Sequence, residues 1–183
     1  MIETLVSEQS NPLDLDEVKQ HLNVFHNDDD EVIIRMMDGA IKVAEAYTGI
    51  KIRQAQYTLT LDDFEDVIEL TVFPVVSIAS VAYVDASGNN QTVASYNFKN
   101  KDVHPFIRPN YSESWPATET GYDKVTITVN VGFATLPALI KEALMMTLGN
   151  MYDNRSDIIA GKTVNQVPMS SKYLLDPYVV RVR

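Results

Sequence analysis

The apolar residues of this chain change period twice along its 183 positions. Ile33, Met36, Met37, Ala40, Ile41, Ala44 and Tyr47 recur at helical spacing. From Gln56 the period falls to two, with Tyr57, Leu59 and Leu61 alternating against Thr58 and Thr60. From Leu136 the helical spacing returns. Helices before and after a block of strands make this an α+β chain. Its length and 45% hydrophobic content suffice for one compact domain with room for an inserted subdomain, whereas two independent domains would be small.

Local signals place the elements. Asp14 can cap a first helix that runs to about Leu22, with Glu17 three residues on to reach back and Leu13 and Val18 as a hydrophobic staple. Asp28, Asp29, Asp30 and Glu31 put negative charge at the positive end of a second helix, and Gly49 stops it. Strands follow through residues 67–73 and 76–84. The cluster Asp85 to Asn90 makes a hairpin turn into a strand near 91–98. Residues 100–123 read as loop with a short strand at Phe106–Arg108, and Val125, Ile127, Val129 and Val131 give the clearest alternation. The third long helix carries Pro137 in its first turn. Leu136, Leu139, Ile140, Ala143, Leu144, Thr147, Leu148 and Met151 form one face, but Ala138, Met145 and Met146 make it apolar nearly all round. Such a helix is covered either within the subunit or in part by a neighbour. A loop over 153–168, a short helix at 169–175 and Pro177 lead to the alternating tail Tyr178 to Arg183. That tail either pairs with its own sheet or reaches onto a partner.

Charge and residue types exclude more than they assign. With no cysteine there is no disulfide, thiolate nucleophile or Cys-based metal site. No apolar run approaches a membrane span and the first residues lack the pattern of a signal peptide, so a soluble protein is expected. The net charge of −10 argues against a protein that grips nucleic acid. It is uneven: −8 over residues 1–49, −4 over 50–135 and +2 over 136–183. His21, His26 and His104 are too scattered for a metal cluster, and the acids at 28–31 lack the spacing of a calcium loop. Asp62, Asp63, Glu65 and Asp66 are the carboxylate pairs a hydrolase would use, but a solvated turn explains them equally. No Gly-x-Ser-x-Gly and no phosphate-cradling glycine loop occur. Trp115 is either a plug over the core or an interface anchor.

The order of these features carries a resemblance. LDEVKQHL, then DDDEVIIRMMDGAIKVAEAYTG, a β segment, SWPAT, KVTITVNVGF, LPALIKEALMMTLGNMYDNR and a closing LLDPYVVRVR together resemble the tailed-phage head-tail connector (head-completion) family, in its subgroup with a β insertion. The resemblance implies a helical core from about 13–52 and 135–176, an antiparallel β insertion over about 53–134 and an extended tail at 177–183. It implies a homo-oligomeric ring of about a dozen subunits that docks on the portal protein, extends the DNA channel and meets a head-closure or tail component. The ring would be built in the host cytoplasm and end in the virion neck. No catalytic, metal or cofactor residues follow from it, and no cofactor is implied. Interface positions are not fixed by motif, so they are inferred from this sequence: Met145, Met146, Tyr178, Val180, Arg181 and Arg183 as subunit or partner contacts. Asp38 and Glu45 are inferred likewise as candidate lumen acids, which would let phosphate slide past. Another neck or tail-completion protein, or a small ligand-binding or hydrolase domain using the Asp62 to Asp66 acids, are the competing readings.

Overall fold

The computed structural model describes residues 1–100, 104–154 and 169–180, without the side chain of Met169. The chain divides into two compact units: a β unit of Met1–Gln9 with Arg53–Phe133, and a helical unit of Ser10–Ile52 with Ala134–Arg183.

In the β unit, a five-stranded antiparallel sheet has the order β1-β2-β8-β4-β5, from β1 (Ile2–Glu8), β2 (Ala55–Leu61), β8 (Val125–Val131), β4 (Val75–Val84) and β5 (Asn90–Thr92). A second, three-stranded sheet orders β3 (Ile68–Glu69), β7 (Phe106–Arg108) and β6 (Asn97–Lys99) as β3-β7-β6. The register explains which side is apolar. Leu59 stands opposite Ile127, and Ile127 opposite Val81, so the buried residues of the central strands form continuous rows on one face. Those rows and Ile68, Leu70, Val72 and Ile107 make one core cluster. The outer face carries rows of hydroxyls instead, Thr4, Thr58, Thr128 and Ser80 being neighbours across four strands.

β1 was not announced by the sequence pattern. All seven of its residues are exposed, and it is held by its backbone pairing with β2, from Ile2 opposite Thr60 to Glu8 opposite Ala55. A strand wet on both faces has no reason to alternate. The hairpin expected at 85–90 is present, closed by the Asp85 carboxylate, which accepts from the amides of Ser87 and Asn89. Its second strand is shorter than 91–98: β5 ends at Thr92, and Asn97–Lys99 belongs to the other sheet.

The helical unit contains α1 (Leu15–His21), α2 (Asp30–Thr48), α3 (Ala138–Asp153) and α4 (Met169–Leu175), the last followed by a 3-10 turn at Asp176–Tyr178. Asp14 caps α1 by accepting from the amides of Asp16 and Glu17. Glu17 does not complete a capping box as expected; its carboxylate lies 2.6 Å from Lys141 on α3. Gly49 ends α2 in the left-handed region at φ 77°, its N–H donating to Glu45 O. α3 packs on α1, α2 and α4, and Ile33, Ile41, Ile140, Leu144, Leu148 and Leu175 are fully buried.

Candidate assembly surfaces

The two acids expected to face a channel differ in what they do. Asp38 is exposed on α2 and accepts a hydrogen bond from Asn11 Nδ2 at 2.9 Å. Glu45 is turned inward, its side chain only 12% exposed. One carboxylate oxygen accepts from the Ile52 N–H at 2.8 Å and the other lies 3.3 Å from Lys42 Nζ. Its place is therefore to tie down the turn after α2, which satisfies a backbone donor that would otherwise be left near the core. We expect Glu45→Ala to lower stability by about 1–3 kcal/mol, measured by urea denaturation.

On α3, Met145 is 4% exposed and committed to the interior of its own unit, whereas Met146 is 38% exposed. Leu139, assigned to the apolar face, is also exposed. The inward face is thus Ile140, Ala143, Leu144, Met145, Thr147 and Leu148. Tyr178 and Val180 are half-buried. The tail does not begin as a strand: Asp176–Tyr178 form the 3-10 turn, and the Val180 N–H donates to Thr48 O at 2.8 Å. Tyr47 reinforces this docking, its hydroxyl donating to Asp176 at 2.6 Å and its ring lying 5.7 Å from the Lys172 ammonium. An alternating sequence becomes a strand only where an edge is free to take it, and here the end of α2 takes the backbone instead. Arg181 and Arg183 lie outside the described residues.

Of the carboxylates that a hydrolase would need, Asp62 and Asp63 are engaged in building a turn. Asp63 accepts from Thr118 Oγ1 at 2.6 Å and from the Phe64 N–H at 2.7 Å. Those bonds, the Thr118 one foremost, hold its carboxyl below the usual carboxylate range, so it stays ionised and is no general acid at neutral pH. Asp62 accepts from the Asp123 N–H at 3.0 Å. A concavity of about 560 Å³ opens beside these residues, but it is also lined by Met1, Ile2 and Tyr122 and has a wide mouth. Trp115 is a plug: its ring stacks on Phe64 at 4.7 Å and its Nε1–H donates to Glu65 O. Among the described residues no group of three or more His, Asp or Glu side chains is placed to hold a metal, and no helix is long and apolar enough to cross a membrane.

Sequence reasoning passed over three features of the helical unit. Phe25, on the α1–α2 loop, is 87% exposed. A concavity of about 400 Å³ lies between α2 and α3, lined by Val32, Arg35, Met36, Gly39, Met151 and Asn154. Lys19 is 8% exposed, with its ammonium 2.7 Å from Asn27 Oδ1 and 2.6 Å from Asp30 Oδ1. The signal for the first was present in VFHNDDD, a lone phenylalanine in a polar run. Nothing in the sequence marked the other two, because they depend on how the helices pair.

A family model described as phage gp6-like head-tail connector protein matches residues 12–109. Solved structures of gene transfer agent (GTA) particles contain chains of the same fold. One, from the neck of an empty GTA particle computed with C6 symmetry, is 23% identical, with a TM-score of 0.80, over 100% of this chain and 98% of that one. A chain from the virion of a native GTA particle gives 0.79, and one from the neck of a native particle computed with C12 symmetry gives 0.77, at the same identity and coverage. No curated protein sequence matches the chain.

Proposed function

The chain belongs to the phage gp6-like head-tail connector family, whose role is structural and not enzymatic, and from that premise we propose that it forms a ring in the neck of a phage-like particle. In this reading about a dozen copies dock on the portal, extend the DNA channel and offer their far side to a head-closure or tail component. The observation that carries it is the likeness of the whole chain, both units together, to chains in GTA neck structures computed with C6 and C12 symmetry. Two properties of the molecule support it. A chain of net charge −10 can line a conduit without holding the phosphates that pass. The exposed acids of α2, Glu31 and Asp38, are candidates for that lining. The helical unit also exposes apolar side chains a monomer would not need, among them Phe25, Ile34, Leu139, Met146 and Tyr173.

The experiment is electron microscopy of the full chain mixed with its cognate portal. A coaxial ring beneath the portal is the expected result. Particles of portal alone, at concentrations where assembly is otherwise supported, would remove the proposal. A ring bound to tail tube in preference to portal would replace it with a tail-completion role.

A further inference from the structure

The α1–α2 loop holds an aromatic ring in water and is pinned so that it stays there. Val24 is buried, and its N–H donates to Lys19 O at 2.9 Å. Beyond Phe25, Lys19 reaches back to Asn27 and Asp30, and the Asp30 N–H donates to Asn27 O at 3.2 Å. Phe25 is therefore fixed on both sides. Leaving its ring exposed forgoes about 2 kcal/mol of burial. Because the backbone on either side is already held, a contact through this ring need not order the loop, which lowers the entropy it must overcome.

The concavity between α2 and α3 has a matching oddity. Gly39 sits in the middle of α2, where glycine costs about 1 kcal/mol relative to alanine. A Cβ there would meet no atom within 4 Å, so nothing inside the subunit requires glycine. Its absent side chain leaves the floor of the groove open between Val32, Met36 and Met151. At the groove, Arg35 is exposed and has no partner among the described residues. The loop bearing Phe25 runs directly into Asp28, whose side chain is 96% exposed. Phe25, being in water, does not occupy the groove of its own subunit.

We infer that the Phe25 ring of one subunit seats in the Val32, Met36, Gly39 and Met151 groove of the next subunit, with Asp28 brought to Arg35. This rests on the ring reading above and supplies its subunit contact. Knob and groove are different surfaces of one molecule, so the contact is heterologous and repeats head to tail until rotation closes it. A buried aromatic anchor with a charged pair at its rim is the arrangement that concentrates binding energy.

The test uses the full chain on its portal, with Phe25→Ser and Gly39→Trp made separately. Each variant is expected to reduce ring occupancy about tenfold or more. Phe25→Ser should melt as the unaltered chain does, because its ring contacts water. An equimolar mixture of the two retains one intact knob and one intact groove, so it should give dimers and nothing larger. The chain has no cysteine, so an Asp28→Cys, Arg35→Cys double variant, which keeps the Phe25 knob and the Gly39 groove, should form a ladder of disulfide-linked multimers on oxidation. Rings from both single variants at the unaltered yield, with no ladder, would overturn the contact and leave the ring reading intact. Failure of the unaltered chain to form rings on portal would overturn both.

Discussion

Gly132→Ala is expected to cost on the order of 3–5 kcal/mol, combining backbone strain with overpacking, and to leave little folded protein. Gly132 follows β8 at φ 95°, a region that residues with a Cβ rarely enter. Its N–H donates to Pro74 O at 3.1 Å, so the residue cannot rotate away without losing a buried bond. A Cβ would land on the Arg53 carbonyl and come within 2.8 Å of Gln54 Cα. Those neighbours are backbone, not the end of a flexible side chain, and they lead straight into β2. β8 is the central strand of the five-stranded sheet and β2 its neighbour, aligned from Ala55 opposite Val131 to Leu61 opposite Val125. Relief of the overlap must therefore shift the register origin of that pair. Here too the chain passes between its units, at Ile52 to Arg53 and at Phe133 to Ala134. Gly88→Ala is the control: it shares a positive φ of 82° but has open space around its Cβ, so strain alone applies and about 1–3 kcal/mol is expected. Denaturation midpoints of the two variants separate the steric from the conformational contribution. Equal losses at both sites would show that the contact with Arg53 is relieved cheaply.

Where the sequence was legible, one face of an element was wet and the other dry. β2 and β8 alternate residue by residue because Leu59 and Ile127 point into the core while Thr58 and Thr128 point out. Asp14 and Gly49 mark helix ends because a cap answers a backbone need that does not depend on tertiary context. Legibility failed where that contrast vanished. β1 is exposed on both sides, so Ile2, Leu5 and Val6 follow no period. α3 is apolar on most sides, so spacing could not say that Met145 points inward and Leu139 outward. The tail alternates, yet Val180 bonds to the end of α2, because alternation describes side chains and strand formation needs a free backbone edge. Among the assembly candidates, Glu45 looked like any surface acid. Only the fold of the turn at Gly49 and Ile50 brings the Ile52 N–H to its carboxylate. Lys19 is the counterpart: a lysine that composition assigns to the surface lies buried because Asn27 and Asp30 converge on it.

The over-apolar third helix poses a question that one pair of substitutions answers. Leu144 is fully buried on the face of α3 directed at the other helices, while Met146, two residues on, is on the outer side. Leu144→Ala should cost about 3–5 kcal/mol, the range for a large cavity in a core that cannot collapse around it. Alanine's helix preference offsets almost none of this, since leucine is nearly as good a helix former. Met146→Ala should cost far less, about 1 kcal/mol, because the side chain is 38% exposed and only its covered part is lost. Urea denaturation of the isolated chain gives both values. The informative comparison is then between stability and assembly. If Met146→Ala has only that small effect on stability and still lowers ring occupancy on the portal, its exposed part is covered in the ring, as a surface apolar residue of a connector would be. If occupancy does not change, the Met146 side of α3 takes no part in the ring, and the proposed contact of Phe25 with the groove of Gly39 and Met151 is tested on its own. A loss of stability at Met146 equal to that at Leu144 would contradict the burial of α3 described above, because a partly exposed site leaves a smaller, water-accessible void than a fully buried one.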